Sequence, residues 1–319
     1  MTRGPLDERV IRRLKLRELR ILTAVAQAGT MGKAAAELAL SQPAVSKAIA
    51  EMEHTLGVPL FDRTAHGVEP TLYGGALLRW ARTIFDDLRQ GVREIEFLAD
   101  PTAGEVRIGS HEMMTLGLLP AVTARLSRQY PRLVFTVTFA PSSTLQYRDL
   151  RERRVDLMFG RMTAPIKDED LHAEILYEDP LVIVARADSK WLRRRTIDPA
   201  ELINEPWCLP TLDGPTYGFI ANAFHALGLE LPRQTVESGS PHLMYAMAQT
   251  GQFLTVATSA TLRLSGKRLG LKALPVGLSI KLGPIGIVTL KNRTVSPVSQ
   301  LFIDCARKLA TRFAQGHQR

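Results

Sequence analysis

The stretch from Gly29 to Glu53, GTMGKAAAELALSQPAVSKAIAEME, constrains this chain more than any other. It reads as two short helices joined by a tight turn. Thr30 is placed as an N-cap, because its hydroxyl can accept one of the unpaired N–H groups that open a helix. Ala34, Ala35 and Leu38 follow as a small apolar face, and Leu40 fills the turn. Ser41 is the next N-cap, and Pro43 falls in the first turn of the second helix, where a missing N–H costs nothing. Val45, Ile49, Met52 and Leu56 recur at helical spacing and must face inward. That leaves Gln42, Ser46 and Lys47 outside, with Pro43 at the edge. Small residues at the crossing and a short polar tip on the second helix describe a helix-turn-helix.

The polar tip carries the chemistry. Short or planar polar side chains near the start of a recognition helix read base edges, and nearby cations hold phosphates. Gln42 suits adenine, Ser46 suits several bases, and Lys47 suits guanine or a phosphate. Periodicity alone fits an ordinary amphipathic helix with a polar outer face equally well. The flanks add to the pattern. After a polar, basic arm over residues 1–13, Leu16, Leu19, Leu22, Val25 and Ala26 make a helical stripe that ends at Gly29. Gly57 to Phe61 breaks the recognition helix and opens a strand, residues 62–69 form a hairpin tip, and Val68-Glu69-Pro70 returns. The whole is a winged helix-turn-helix. Arg63 and His66 on the wing stand within reach of the minor groove or of phosphates, although a plain solvated turn accounts for His66 as well.

An Ala-Ala pair, then Ser-Gln-Pro-Ala-Val-Ser over 41–46, Leu-Gly-x-x-Leu-Phe-x-Arg over 56–63 and Thr-x-x-Gly over 71–74 occur at fixed spacings. With them the chain resembles the LysR-type transcriptional regulators. The resemblance implies DNA contact through Thr30, Lys33, Ser41, Gln42, Pro43, Ser46, Lys47, Arg63 and His66. It also implies a double-stranded promoter site with an interrupted inverted repeat, a homodimer or homotetramer, a small-molecule effector and contact with RNA polymerase. The variant Thr30-Met31-Gly32-Lys33-Ala34-Ala35 is similar to the sub-branch that includes regulators of aromatic-acid breakdown and of sugar-binding-protein genes. Two alternatives stand beside this reading. One is a winged-helix DNA binder whose remaining part serves only oligomerisation. The other is a solute-binding protein.

Thr71 caps a long helix that runs to about Ala99. Leu77, Ala81, Ile84, Leu88, Ile95 and Leu98 fall on a seven-residue repeat, with Gly91 in the one missing seam position. A helix this long with so narrow a seam needs a partner. In LysR-type regulators the equivalent helix pairs two subunits, so the resemblance implies dimerisation through Leu77, Ala81, Ile84, Leu88 and Ile95. Asp100 to Gly104 ends the helix as a hinge. The expected division is therefore 1–71 for the head, 72–100 for the linker helix and 101–319 for the remainder.

Beyond Gly104 strands alternate with helices. Strands at 105–109, 133–140 and 155–160 with helices at 116–130 and 144–154 imply parallel pairing with right-handed crossovers. Leu181 to Arg186 carries the chain toward a second lobe, at about 187–283, with strands at 206–210, 234–238 and 253–258 and helices at 218–227 and 241–249. Residues 285–290 lead back, and 297–313 close the domain as a helix. The fold class is α/β with an α-rich N-terminal head. The resemblance implies a two-lobed, periplasmic-binding-protein-like effector domain.

Ligands of open parallel sheets sit beyond the carboxyl ends of the strands. Those ends place Ser110, His111, Ser142, Ser143, Gly160, Arg161, Thr211 and Ser238 at the effector site, with Phe219 as an apolar wall. Converging hydroxyls and helix-opening N–H groups suit a carboxylate or a sugar. Each serine and threonine reads equally well as a plain helix cap.

Composition narrows the class. The chain has 319 residues, of which 45% are hydrophobic, enough for two or three cored domains. No apolar run is long enough to span a membrane, and the basic N-terminus has no apolar core behind it, so a cytoplasmic location is expected. The net charge is +9, yet the first hundred residues carry roughly +1 of it. The DNA reading thus rests on the motif and not on bulk charge; the Arg193-Arg194-Arg195 run fits a solvated surface. Cys208 and Cys305 lie far apart and suit reduced, buried thiols. Seven histidines show no ligand spacing, so no metal or other cofactor is expected. An enzyme is not expected either: there is no nucleophile elbow, Walker loop or dinucleotide fingerprint. Gly283 to Gly286 lacks the spacing, Ser238-Gly239-Ser240 lacks the flanking glycines, and a lone His111-Glu112 pair is common by chance.

Overall fold

A computed structural model describes residues 13–139, 143–162, 164–232, 234–278 and 280–314. The chain divides into two compact units, Met1–Gly91 and Val92–Arg319, so the division falls inside the long helix rather than at either end of it.

The head contains α1 (Leu16–Ala28), α2 (Met31–Glu37) and α3 (Gln42–Leu56), then a hairpin of β1 (Phe61–Thr64) and β2 (Gly67–Pro70), and the start of α4 (Leu72–Ala99). The Thr30 hydroxyl accepts from the Lys33 amide at 3.2 Å and the Ser41 hydroxyl from the Ala44 amide at 3.4 Å, so both expected caps form. Leu22, Val25, Ala34, Val45, Ile49, Met52 and Leu60 make the core. Glu53 ties the recognition helix to the wing: its Oε1 accepts from the amides of Leu60 at 2.7 Å and Phe61 at 3.3 Å. Two glycines permit the remaining joints. Gly67 has φ +143°, and a Cβ there would collide with the Gly29 carbonyl, which accepts from the Val68 amide at 2.8 Å. A Cβ on Gly74 would collide with the Leu60 carbonyl oxygen, where α4 crosses the start of the wing. Thr71 opens α4, its hydroxyl donating to the Pro59 carbonyl at 2.7 Å and accepting from the Gly74 amide at 3.0 Å.

The second unit holds two lobes. The first is a five-stranded sheet in the order β4 (Arg132–Phe139), β3 (Ala103–Ser110), β5 (Leu157–Arg161), β12 (Pro284–Leu290), β6 (Leu171–Glu178). As the βαβ pattern requires, β3 runs parallel to β4 and β5; β12 returns antiparallel between β5 and β6. α5 (Leu118–Gln129) and α10 (Pro297–Ala314) cover it, with Phe302 edge-on to Phe159 at 5.7 Å in the core; α6 (Ser143–Arg151) follows β4. The second lobe is built on β7 (Leu181–Arg186), which pairs antiparallel with β10 (Thr255–Thr258) and β11 (Leu271–Ala273). β8 (Trp207–Leu209) and β9 (Gln234–Glu237) are parallel and join this set through a bridge from Trp207 to Leu254. α7 (Pro215–His225), α8 (Pro241–Gln249) and α9 (Ser259–Leu269) complete the unit.

Three features depart from the sequence expectation. The segment Leu181–Arg186 is the central strand of the second lobe and not a passage to it, so that lobe begins at Leu181 rather than near 187. β6 was not expected: its charged, half-exposed edge-strand pattern gives no clean alternation. α9, with Ser265 and Gly266 in its interior, has low helix propensity and forms because Thr258 caps it by accepting from the Thr261 amide at 3.1 Å.

Candidate nucleic-acid interface and effector cleft

On α3 the sequence sorts residues by face. Val45, Ile49 and Met52 are at most 3% exposed, while Ser41, Gln42, Pro43, Ser46 and Lys47 are all exposed. The Ser41 hydroxyl is engaged in its cap, so it offers only its proton outward. Gln42 stands over Gly32, where any added Cβ would lie 3.6 Å from the Gln42 Oε1. Lys47 is 3.8 Å from Glu51 with both side chains largely in solvent, a contact of little energy that leaves the ammonium available. Lys33 is exposed in the first turn of α2. Thr30 is half-buried and engaged as a cap. On the wing Arg63 and His66 are both exposed. The surface is thus a helix tip of polar, mostly uncharged side chains flanked by single cations, which matches what base-edge reading requires.

α4 presents a second surface. Trp80, Ile84, Leu88, Ile95 and Leu98 are 39–73% exposed, along one side of the helix. The expected seam needs correcting at its start. Leu77 is half-buried against the head core and Ala81 is fully buried within the chain, while Trp80 is exposed beside them. The last turns of α4 belong to the effector unit: Phe97 packs on the first-lobe core, and Arg93 donates to Glu105 at 2.8 Å. Arg93 also lies 4.0 Å from Asp156, which pairs with Arg107 at 2.6 Å and Arg293 at 2.7 Å. Burial pushes the Asp156 carboxyl up, but the Arg107 bonds and the Arg293 charge outweigh it and hold the group below its ordinary value.

The expected effector residues fare unevenly. Ser110 ends β3 fully buried, but its hydroxyl donates across the sheet to the Phe159 carbonyl at 2.8 Å; it is an inter-strand tie and not a helix cap. His111 is half-buried beside Gly160, whose added Cβ would lie 3.1 Å from the imidazole. Ser142 lies outside the described residues, as does the Ser143 side chain. Thr211 is half-buried and closes a turn, its carbonyl accepting from the Gly214 amide at 2.9 Å. The Ser238 hydroxyl accepts from the Ser240 amide at 3.0 Å, so it shapes the entry to α8. Phe219 is half-buried against the second-lobe core.

Arg161 has partners that the sequence reading did not foresee. Its guanidinium donates to the Gly283 carbonyl at 2.6 Å and lies 3.4 Å from Asp179. Asp179 in turn accepts from the Ala260 amide at 2.9 Å. Gly283 and Asp179 sit on the two segments where the chain passes between lobes, so Arg161 is tied to the hinge. Burial holds its pKa below the usual arginine value. A cation buried this deeply without its carboxylate would be costly, which is why the pair is kept together.

The sequence reading gave no weight to a contact that spans the lobes. Glu112, just after β3, lies 2.9 Å from the Nδ1 of His242 and accepts from the Ser240 hydroxyl at 3.1 Å. Both partners open α8 in the second lobe. Two residues distant by 128 and 130 positions give no local sequence signal.

Residues 16–75 match the family described as bacterial regulatory helix-turn-helix protein, lysR family, and residues 99–311 match the LysR substrate binding domain. The HTH-type transcriptional regulator GbpR of Azospirillum brasilense is 32% identical over 286 residues, which cover 89% of this chain and 83% of that protein. The small neutral protease regulatory protein of Streptomyces lividans is 30% identical over 285 residues, 85% of this chain and 80% of that one. Among solved structures, a full-length OxyR variant from Pseudomonas aeruginosa shares the fold with a TM-score of 0.64 at 20% identity, over 92% of this chain and 95% of that one. Full-length CbnR complexed with its target DNA gives 0.62 at 21% identity, over 92% and 99%. The paired matches, one over the winged head and one over the two-lobed unit, make this chain a member of the LysR family: a DNA-binding transcriptional regulator with an effector-binding domain.

Proposed function

We propose that the protein reads a promoter site with α3, pairs with a second copy through α4, and answers a small carboxylate or sugar held between the two lobes of its C-terminal unit. The functional segments are then the head over 1–71, the linker helix over 72–100 and the effector domain over 101–319. The observation that carries the reading is the sorting of α3: an apolar face sealed into the head, and Gln42, Pro43, Ser46 and Lys47 outward on the first turns. Side chains there reach base edges when the helix tip enters the major groove. Thr30, Lys33, Ser41, Arg63 and His66 flank that tip and suit phosphate contact. The exposed stripe of Ile84, Leu88 and Ile95 supports pairing, because apolar surface of this kind marks an interaction site. A pair of heads then matches an interrupted inverted repeat, and a pair of pairs gives a homotetramer.

The protein works in the cytoplasm, beside its DNA and RNA polymerase, and the reading assigns it no catalytic step, cofactor or metal. Among the described residues no helix is long and apolar enough to cross a membrane. A footprint over DNA upstream of its own gene tests the proposal. It should show two protected half-sites whose centres lie about one helical turn, or a whole multiple of it, apart. Uniform protection without preferred sites would overturn it.

A further inference from the structure

We infer that Glu112 is a latch across the effector cleft, holding the second lobe through Ser240 and His242 and so setting the resting aperture of the site. The inference rests on the cleft being the effector site. The contacts that bridge the lobes are of several kinds, one of them close to Glu112 in sequence: Ser265 on α9 donates to the Leu116 carbonyl at 3.0 Å, and Leu116 packs on second-lobe residues. The set around Arg161, Asp179, Gly283 and the Ala260 amide is buried and sits where the chain itself crosses between lobes. Parting buried charges is expensive, so this set acts as the fixed hinge. The Glu112 set is different. Glu112 and His242 are 46% and 52% exposed, and the residues belong to segments far from either crossing point in sequence. One carboxylate oxygen serves both partners, accepting from the Ser240 hydroxyl at 3.1 Å and lying 2.9 Å from the His242 Nδ1.

A contact of this kind exchanges readily with water. It biases the aperture by about two- to five-fold, which is the worth of an exposed pair, instead of locking it. That weakness is what a switch needs. An effector gains control over the lobes only by its different affinity for the two apertures, and a weak latch leaves that difference in charge. The chemistry also narrows the effector. A ligand carboxylate offers Ser240 and His242 the same acceptor that Glu112 offers, so an acidic effector competes directly with the latch, whereas a neutral ligand leaves it in place.

Spin labels test this without any effector. Ser127→Cys on the first lobe and Lys272→Cys on the second are both at exposed positions, while Cys208 and Cys305 are buried and stay unlabelled. Label separations are compared in the full-length protein and in Glu112→Ala, His242→Ala and the double variant, with circular dichroism confirming the fold of each. Glu112→Ala should raise the more open population about two- to five-fold, His242→Ala should raise it by no more than that because the Ser240 bond survives, and the double variant should add nothing beyond Glu112→Ala. An unchanged distribution in Glu112→Ala, or a double variant that opens further than Glu112→Ala alone, overturns the latch. Because no ligand takes part, that failure would leave the effector reading intact; the effector reading fails separately, if no metabolite raises the melting temperature.

Discussion

The proposed DNA surface assigns separate roles to a few side chains. Gln42 is expected to read one base, so Gln42→Ala should cost about 1–3 kcal/mol at one position and relax preference there. Lys47 has a solvated ammonium with only a loose bond to Glu51. Lys47→Ala should either shift base preference at a neighbouring position or lower the slope of affinity against salt concentration by about one. Titrations at several salt concentrations distinguish the two, and an unchanged slope with an unchanged preference excludes Lys47 from the interface. Gly74 acts differently, through packing. A methyl group there meets the Leu60 carbonyl oxygen, so Gly74→Ala should destabilise the head by about 1–3 kcal/mol although Ala favours helix; thermal unfolding measures it. At this scale the sequence was most legible where chemistry is local. The caps at Thr30 and Ser41 and the inward set Val45, Ile49 and Met52 follow from neighbours within one or two turns. The hinge contacts of Arg161 were not legible because its partners, Asp179 and Gly283, are distant in the chain.

Among the elements, α4 combines an exposed apolar stripe with last turns that pack on the effector unit. Its middle offers apolar surface, and Leu88→Asp would set an unpaired charge in the dry seam of a dimer. Sedimentation should then find monomers, and affinity for a paired site should fall by about 10²–10⁴-fold as linkage is lost. An intact dimer would contradict that assignment. The C-terminal turns of α4 are held by the effector unit through Arg93, Phe97 and the arginines gathered around Asp156. Asp156→Ala leaves Arg107 and Arg293 without their carboxylate, which should cost about 3–5 kcal/mol in thermal unfolding of that unit. The pH dependence follows from the sign of the shift. The folded-state value lies below the ordinary 3.8, so the stabilisation is complete above that value and is lost as pH falls through the lower, folded one. The heptad pattern marks the exposed apolar stripe of Ile84, Leu88 and Ile95, but its first two positions are covered within the chain to different degrees. Leu77 and Ala81 keep the repeat, yet Leu77 is half-buried against the head core and Ala81 is buried, and periodicity within one helix cannot reveal which neighbour covers it.

At the scale of the whole molecule, the order of strands and helices made the two-lobed architecture legible. What it hid were the elements with weak local signals, β6 and α9, and the contacts between lobes. The effector cleft was therefore read as a row of strand ends, of which Ser110 and Ser238 turn out to be bound up in their own backbone surroundings. A thermal-shift panel of acids and sugars should find compounds that raise the melting temperature of the intact protein, with acids acting more strongly than neutral sugars; a flat response across the panel would favour an α/β part that serves assembly alone. The central claim, that α3 of paired heads reads sequence, is tested most directly by selecting sites from random DNA with the native protein and with Gln42→Ala. The native protein should enrich two half-sites at fixed spacing. Gln42→Ala should keep the spacing and lose preference at the same single base pair in both halves. An identical base profile for the two proteins would show that the helix tip does not read the DNA.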